Sequence, residues 1–164
     1  MSQPTLNDIR RAFFTAMQKA VAEEEAAGKV VVVPPNQEAE PDVKQILLIS
    51  GFTPGLVGRL ELGGYGALAQ RSGIFKMSLS FLKTANAGEP WQLAEKLEAA
   101  FRPYTVDGLP VPAQADPNAP PCFVFCDFPY TEAIGFTYGG AVDDTPDGRS
   151  LISVTVPWWA WVEN

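Results

Sequence analysis

Six residues near the carboxyl end, Asp143-Asp144-Thr145-Pro146-Asp147-Gly148, bring several side-chain oxygens and a glycine together, as a calcium-binding loop does. Such a loop needs a bidentate glutamate at its twelfth position, and that position here is Val154. The stretch therefore reads as a solvated turn, in which Asp147-Gly148 is a strong hairpin signal. Gly63-Gly64-Tyr65-Gly66 has the look of a phosphate-cradling loop, yet no Gly-Lys-Ser/Thr follows it and no Gly-x-Gly-x-x-Gly follows a strand. Cys122 and Cys126 are spaced so that both point to one face of a strand. They stand about 13 Å apart at roughly 3.3 Å per residue, too far for a disulfide between them. The chain has no histidine, which removes the commonest general base and the commonest zinc ligand together. Asp107, Asp127 and Glu132 are the acids a paired-carboxylate mechanism would draw on, and sequence alone cannot bring them to one cleft. The reading is of a non-enzymatic chain, with no catalytic residue, no cofactor and no metal site assigned.

Composition narrows the classes further. At 164 residues the chain can build one core, and with 46% hydrophobic and 19% charged residues it is a folded domain spanning residues 1–164. Twelve basic against 19 acidic residues leave a net charge of −7, without the basic footprint that phosphate backbones require. Arg10 and Arg11 are an isolated pair, so no nucleic-acid partner is expected. Apolar runs such as Val30 to Val33 and Val154 to Trp161 are too short to span a bilayer, and the polar amino end lacks a signal-peptide pattern. The expectation is a protein folded in a cytoplasm, with no membrane partner.

These residues must be positioned by regular elements, and hydrophobic spacing indicates which. Thr5 to Ala27 reads as one helix: Leu6, Ile9, Phe13, Met17 and Ala20 share a stripe, broadened by Phe14 and Val21. Thr5 and Asp8 form an acidic variant of the capping box, and Gly28 stops the run. Lys29 to Val33 and Val43 to Ser50 read as strands. Gly51 to Gln70 holds six of the chain's 14 glycines and reads as a long mobile loop, with Leu56, Val57, Leu60, Leu62 and Tyr65 as apolar residues able to cover a neighbour.

From Ser72 to Phe101 the pattern is clearest. Phe75, Met77, Leu79 and Phe81 alternate with Lys76, Ser78 and Ser80, a half-buried strand. A turn at Asn86 to Gly88 follows, then Pro90 opens a helix whose stripe is Trp91, Ala94, Leu97 and Phe101. Tyr104 to Pro121 is a proline-rich connector with at most a short strand. Cys122 to Phe128 reads as a strand buried on both faces, and Phe136 to Val142 with Arg149 to Val162 as an antiparallel pair. The sum is an α+β domain: a mostly antiparallel sheet with two helices packed on one face, and long Gly-rich and Pro-rich loops.

The last strand ends in Pro157-Trp158-Trp159-Ala160-Trp161. Ile152, Val154, Val156 and Trp158 share a core face, while Ser153 and Thr155 lie on the opposite, wet face that continues as Trp159 and Trp161. Those two tryptophans fit a protein interface or packing beneath the proline-rich connector, with carbohydrate stacking a third use.

The order of elements resembles the bacteriophage tail terminator and tail completion proteins, the lambda-type minor tail proteins and their prophage relatives. The likeness is carried by Leu6-Asn7-Asp8-Ile9-Arg10-Arg11-Ala12, by Arg71-Ser72-Gly73-Ile74-Phe75-Lys76-Met77-Ser78-Leu79, by Ala94-Glu95-Lys96-Leu97-Glu98-Ala99-Ala100-Phe101, and by the Asp147-Gly148 turn into Leu151 to Trp158. The resemblance implies a ring, commonly a hexamer, that caps the tail tube, stops its polymerisation and offers a surface to the head–tail connector. It implies partners in its own copies and in the tail tube protein, and a path from the bacterial cytoplasm to the virion tail. It implies no catalytic residue. The candidate interface residues are then Leu56, Val57, Leu60, Leu62, Tyr65, Trp159 and Trp161. Two alternatives stand beside it: a small binding module that takes a ligand or carbohydrate on the tryptophans, and another minor tail or neck subunit.

Overall fold

A computed structural model describes residues 4–34, 37, 44–59, 68–82, 88–112, 116–118, 120–134 and 149–163, with the backbone alone at 56–59, 68, 69, 134, 162 and 163. The chain is an α+β fold with a mostly antiparallel sheet. The first helix, α1 (Leu6–Ala20), starts at the expected box: the Thr5 and Asp8 backbone N–H groups donate to Asp8 Oδ2 at 2.8 Å and Thr5 Oγ1 at 3.2 Å. The expected single helix to Ala27 is two, because Val21 leaves helical geometry and α2 (Ala22–Ala26) restarts after it. Val21 is fully buried, so the break keeps a β-branched apolar side chain in the core. Gly28, at φ 71°, ends the run as expected.

The remaining elements are β1 (Val30–Val32), β2 (Ile46–Arg59), β3 (Leu68–Leu82), α3 (Gly88–Phe101), a 3-10 turn (Arg102–Thr105), β4 (Leu109–Val111), β5 (Cys122–Cys126), β6 (Tyr130–Ile134) and β7 (Arg149–Glu163). The sheet runs β1-β2-β3-β7-β5-β4, with β6 also on β7; β1 joins β2 in parallel and every other pair is antiparallel. Residues 135–148, which hold the expected partner of the last strand and the Asp147-Gly148 turn, lie outside the described residues. The described partner of β7 on that side is β6, a strand that the sequence pattern did not suggest.

Two further expectations, on β2 and on β7, need correction. Gly51 to Gln70 is not one long loop: Gly51 to Arg59 continue β2, and Leu68 to Gln70 already belong to β3. At Gly55 the glycine serves close approach. A Cβ on Gly55 would stand 3.0 Å from the Ser72 carbonyl oxygen, beside a register shift between Pro54 and Val57. Ser153 and Thr155 are not wet either, at 0% and 3% exposure. They sit on β7, flanked by β3 and β6, where short hydroxyl side chains lie below their neighbours. Ser153 Oγ meets Ser78 Oγ at 3.0 Å. On the same face buried Arg149 donates from Nε to Ser80 Oγ at 2.8 Å and from Nη2 to the Ser80 and Gln45 carbonyls.

The opposite face carries the core. Register aligns Phe75 with Val156, Met77 with Val154 and Leu79 with Ile152, all buried. Phe13 of α1 lies 5.1 Å from Phe75 and 6.0 Å from Phe101 of α3, ring centre to ring centre. In α3 the buried set is Pro90, Leu93, Ala94, Leu97 and Phe101, whereas Trp91 is exposed, so the stripe is rotated from the expected one.

Candidate functional site

A group of aromatic residues, part of it exposed, gathers at one end of the sheet, on the face away from Phe75. Pleat alternation sets this up. In β7 the odd residues through Pro157, Trp159 and Trp161 share that face, and register brings Phe125 of β5 opposite Trp159 and Ile74 of β3 opposite Pro157. Phe125 stacks on Trp159 at 5.0 Å, and Trp161 meets Trp159 edge-on at 6.1 Å. Trp161 is 42% exposed, Phe123 50% and Ile74 38%. The expectation of β5 buried on both faces is therefore wrong: Val124 and Cys126 are buried, while Phe123 and Phe125 face the other way. The alternation within Cys-Phe-Val-Phe-Cys was the available signal.

On the β3 side of Trp159 the neighbour is Ser72, too small to fill the space beside an indole. A cleft opens there, lined by Thr53, Gln70, Ser72, Ile74, Asp127 and Trp159 among others. The arrangement pairs an apolar wall with side-chain hydrogen-bonding groups.

Of the residues singled out from sequence, Trp159 and Trp161 are thus brought together. Leu56 and Val57 lie on β2, where the backbone of Val57 pairs with Arg71 and Arg71 with Ala160. That row is next to Trp159, so the two candidate groups share one end of the sheet. Leu60, Leu62 and Tyr65 lie outside the described residues. Phe123, Phe125 and Ile74 belong to the same surface and were missed because each was read as core or passed over.

Titratable groups elsewhere serve packing. Lys96 of α3 donates to Glu24 of α2 at 2.6 Å, which holds the Glu24 carboxyl below its usual range and the Lys96 ammonium above its own. Burial, with the charge of Asp127 second, pushes the Cys126 thiol up to about 12, so it stays a neutral apolar group. Among the described residues no group of three or more His, Cys, Asp or Glu could hold a metal ion, and no helix is long and apolar enough to cross a membrane.

No family model and no curated protein matches the chain. Eight solved chains match it. One of them, known by a sequence identifier in place of a functional description, superposes with a TM-score of 0.60 at 14% identity, covering 98% of each chain. Likeness at that identity is likeness of fold, and it defines an α+β domain without assigning it a role.

Proposed function

We propose that this chain is a structural bacteriophage tail subunit that caps the tail tube as a ring, ends its polymerisation and contributes to head–tail joining. The reading rests on the order of elements quoted for the tail terminator resemblance, which fits the α+β fold with its mostly antiparallel sheet. The single observation that favours it is the aromatic end of the sheet, where Ile74, Phe123 and Trp161 stand exposed on one surface near the end of β2 and the start of β3. An exposed apolar cluster of this kind suits a partner surface. Its partners are then other copies of the chain in a hexameric ring, the tail tube protein and the head–tail connector, met in the bacterial cytoplasm and retained in the virion tail. No reaction, cofactor or nucleic acid enters this role.

The segment joining β2 to β3 supplies the test. Val57 pairs with Arg71, so replacing residues 58–70 by an Asn-Gly turn closes a shorter hairpin. The shortened chain is expected to fold as a monomer and to lose ring formation and tube capping. Sedimentation and negative-stain microscopy with tail-tube subunits read both, and unchanged assembly overturns the proposal. A second reading, a small-ligand or carbohydrate module, is favoured by the Trp159 cleft and its polar lining. It predicts saturable quenching of tryptophan fluorescence by oligosaccharides in a chain that remains monomeric.

A further inference from the structure

The outward side of α1 differs in kind from its buried stripe. Ala12, Thr15 and Ala16 place small side chains next to one another, and Arg11 and Lys19 stand on the same side, eight positions apart. At about 1.5 Å rise per residue the two cations are about 12 Å apart along the helix. Across from them are Tyr104 of the 3-10 turn, Leu109 and Pro110 of β4, and Pro112 just after it. Small residues keep the floor low, and the ring and prolines keep the wall apolar. An open cleft lies between.

The two cations at its rim are set apart from the other described cations of the helices. Lys96 and Arg102 each have an acidic partner, whereas Arg11 and Lys19 have none among the described residues. Asp8, the acid on the lining, has its carboxylate engaged by Thr5. Pro110 lacks an N–H, so an occupant cannot extend β4 through a donor at that position.

The geometry points to a docking groove for an acidic segment of a partner protein. That segment carries two carboxylates about 12 Å apart with an apolar side chain between them. In an extended chain, residues four apart point the same way and lie about 13 Å apart, so the complementary pattern is Glu-x-Leu-x-Glu. The leucine enters over Ala12 and Ala16 toward Tyr104, and the carboxylates meet Arg11 and Lys19. Charge pairing sets direction and selectivity, while the apolar contact supplies the burial. The chain's net charge of −7 repels acidic partners at a distance, but screening beyond about 8 Å at physiological salt leaves local pairing in control. The groove borders the aromatic end of the sheet at Pro110, which pairs with Phe123, but its test does not involve ring formation and so stands or falls independently of the ring reading.

The test is a proton–nitrogen correlation titration of the full chain with the peptide acetyl-Ser-Glu-Ser-Leu-Ser-Glu-Ser-amide. Saturable shifts are expected at the amides of Ala12, Thr15, Ala16 and Leu109. The double variant R11E/K19E changes two exposed residues that have no acidic partner among the described residues. It is expected to bind this peptide at least ~10-fold more weakly and to gain binding of the Lys-x-Leu-x-Lys counterpart, the signature of paired charge. Ala16→Leu fills the floor without touching charge and should weaken the acidic peptide as well, with an unchanged spectrum elsewhere verifying the fold. Shifts outside the groove, no shifts, or equal binding by R11E/K19E overturn the proposal. So does decanoate reproducing the shifts when the peptide does not, which would make the groove a site for an apolar acid.

Discussion

Trp158 and Trp159 are neighbours in the chain with opposite fates. Trp158 is 2% exposed, stacks on Phe52 at 5.4 Å and lies 6.2 Å from Phe13 of α1. Trp159 points to the other face, stacks on Phe125 and borders an open cleft. Pleat alternation separates them, but the residue opposite each on β3 decides what the separation means. Gly73, facing Trp158, has no side chain, so the indole lies directly over the strand. Ser72, facing Trp159, leaves a gap that nothing else on the strand fills. Two tryptophans of one strand thus act as a core wedge and as a surface wall.

Breaking the buried half of this pair should have the largest effect. Trp158→Ala removes an indole at the junction of α1, β2 and β3, and is expected to lower stability by ~3–5 kcal/mol in urea unfolding. A loss below ~1 kcal/mol would mean that the wedge is dispensable. Gly73→Ala tests the seat instead of the wedge. Its Cβ would come within 2.5 Å of the Thr53 carbonyl oxygen and 2.7 Å of Trp158 Cζ2. A loss of ~1–3 kcal/mol is expected from such overpacking. Combined with Trp158→Ala, the two losses should add to less than their sum, because the indole half of the clash is gone; strict additivity would uncouple the positions. Trp161→Ala, on the exposed half, should change stability by no more than ~0.5 kcal/mol. If the aromatic end is a contact surface, the same variant shifts sedimentation toward the monomer at every concentration; an unmoved profile would make that surface idle.

Local pattern carried much of the fold. The capping box at Thr5 and Asp8, the stop at Gly28, and the inward alternation of Phe75, Met77, Leu79 and Phe81 each depend on residues within a few positions of one another. Such features are written in spacing. The candidate site was only half legible for the same reason. That Trp159 and Trp161 share a face follows from alternation; that Phe125, Phe123 and Ile74 join them depends on strands more than thirty residues away. The Gly51 to Gln70 segment misled because glycine is ambiguous in sequence. It frees a backbone in a loop, and equally it lets a neighbouring strand or ring approach within a strand.

By itself, then, the sequence determined periodicity: which residues are helical, which alternate, and that Trp158 and Trp159 must point apart. It also determined the chain's acidity and its lack of histidine. Only the tertiary structure decided pairing, and with it exposure. Ser153 and Thr155 are buried because β3 and β6 flank β7, and Phe123 is exposed because its side of β5 looks away from the helices. The groove beside Arg11 and Lys19 exists because β4, ninety residues on, returns to α1. Alternation is a property of one strand, whereas burial is a property of its neighbours.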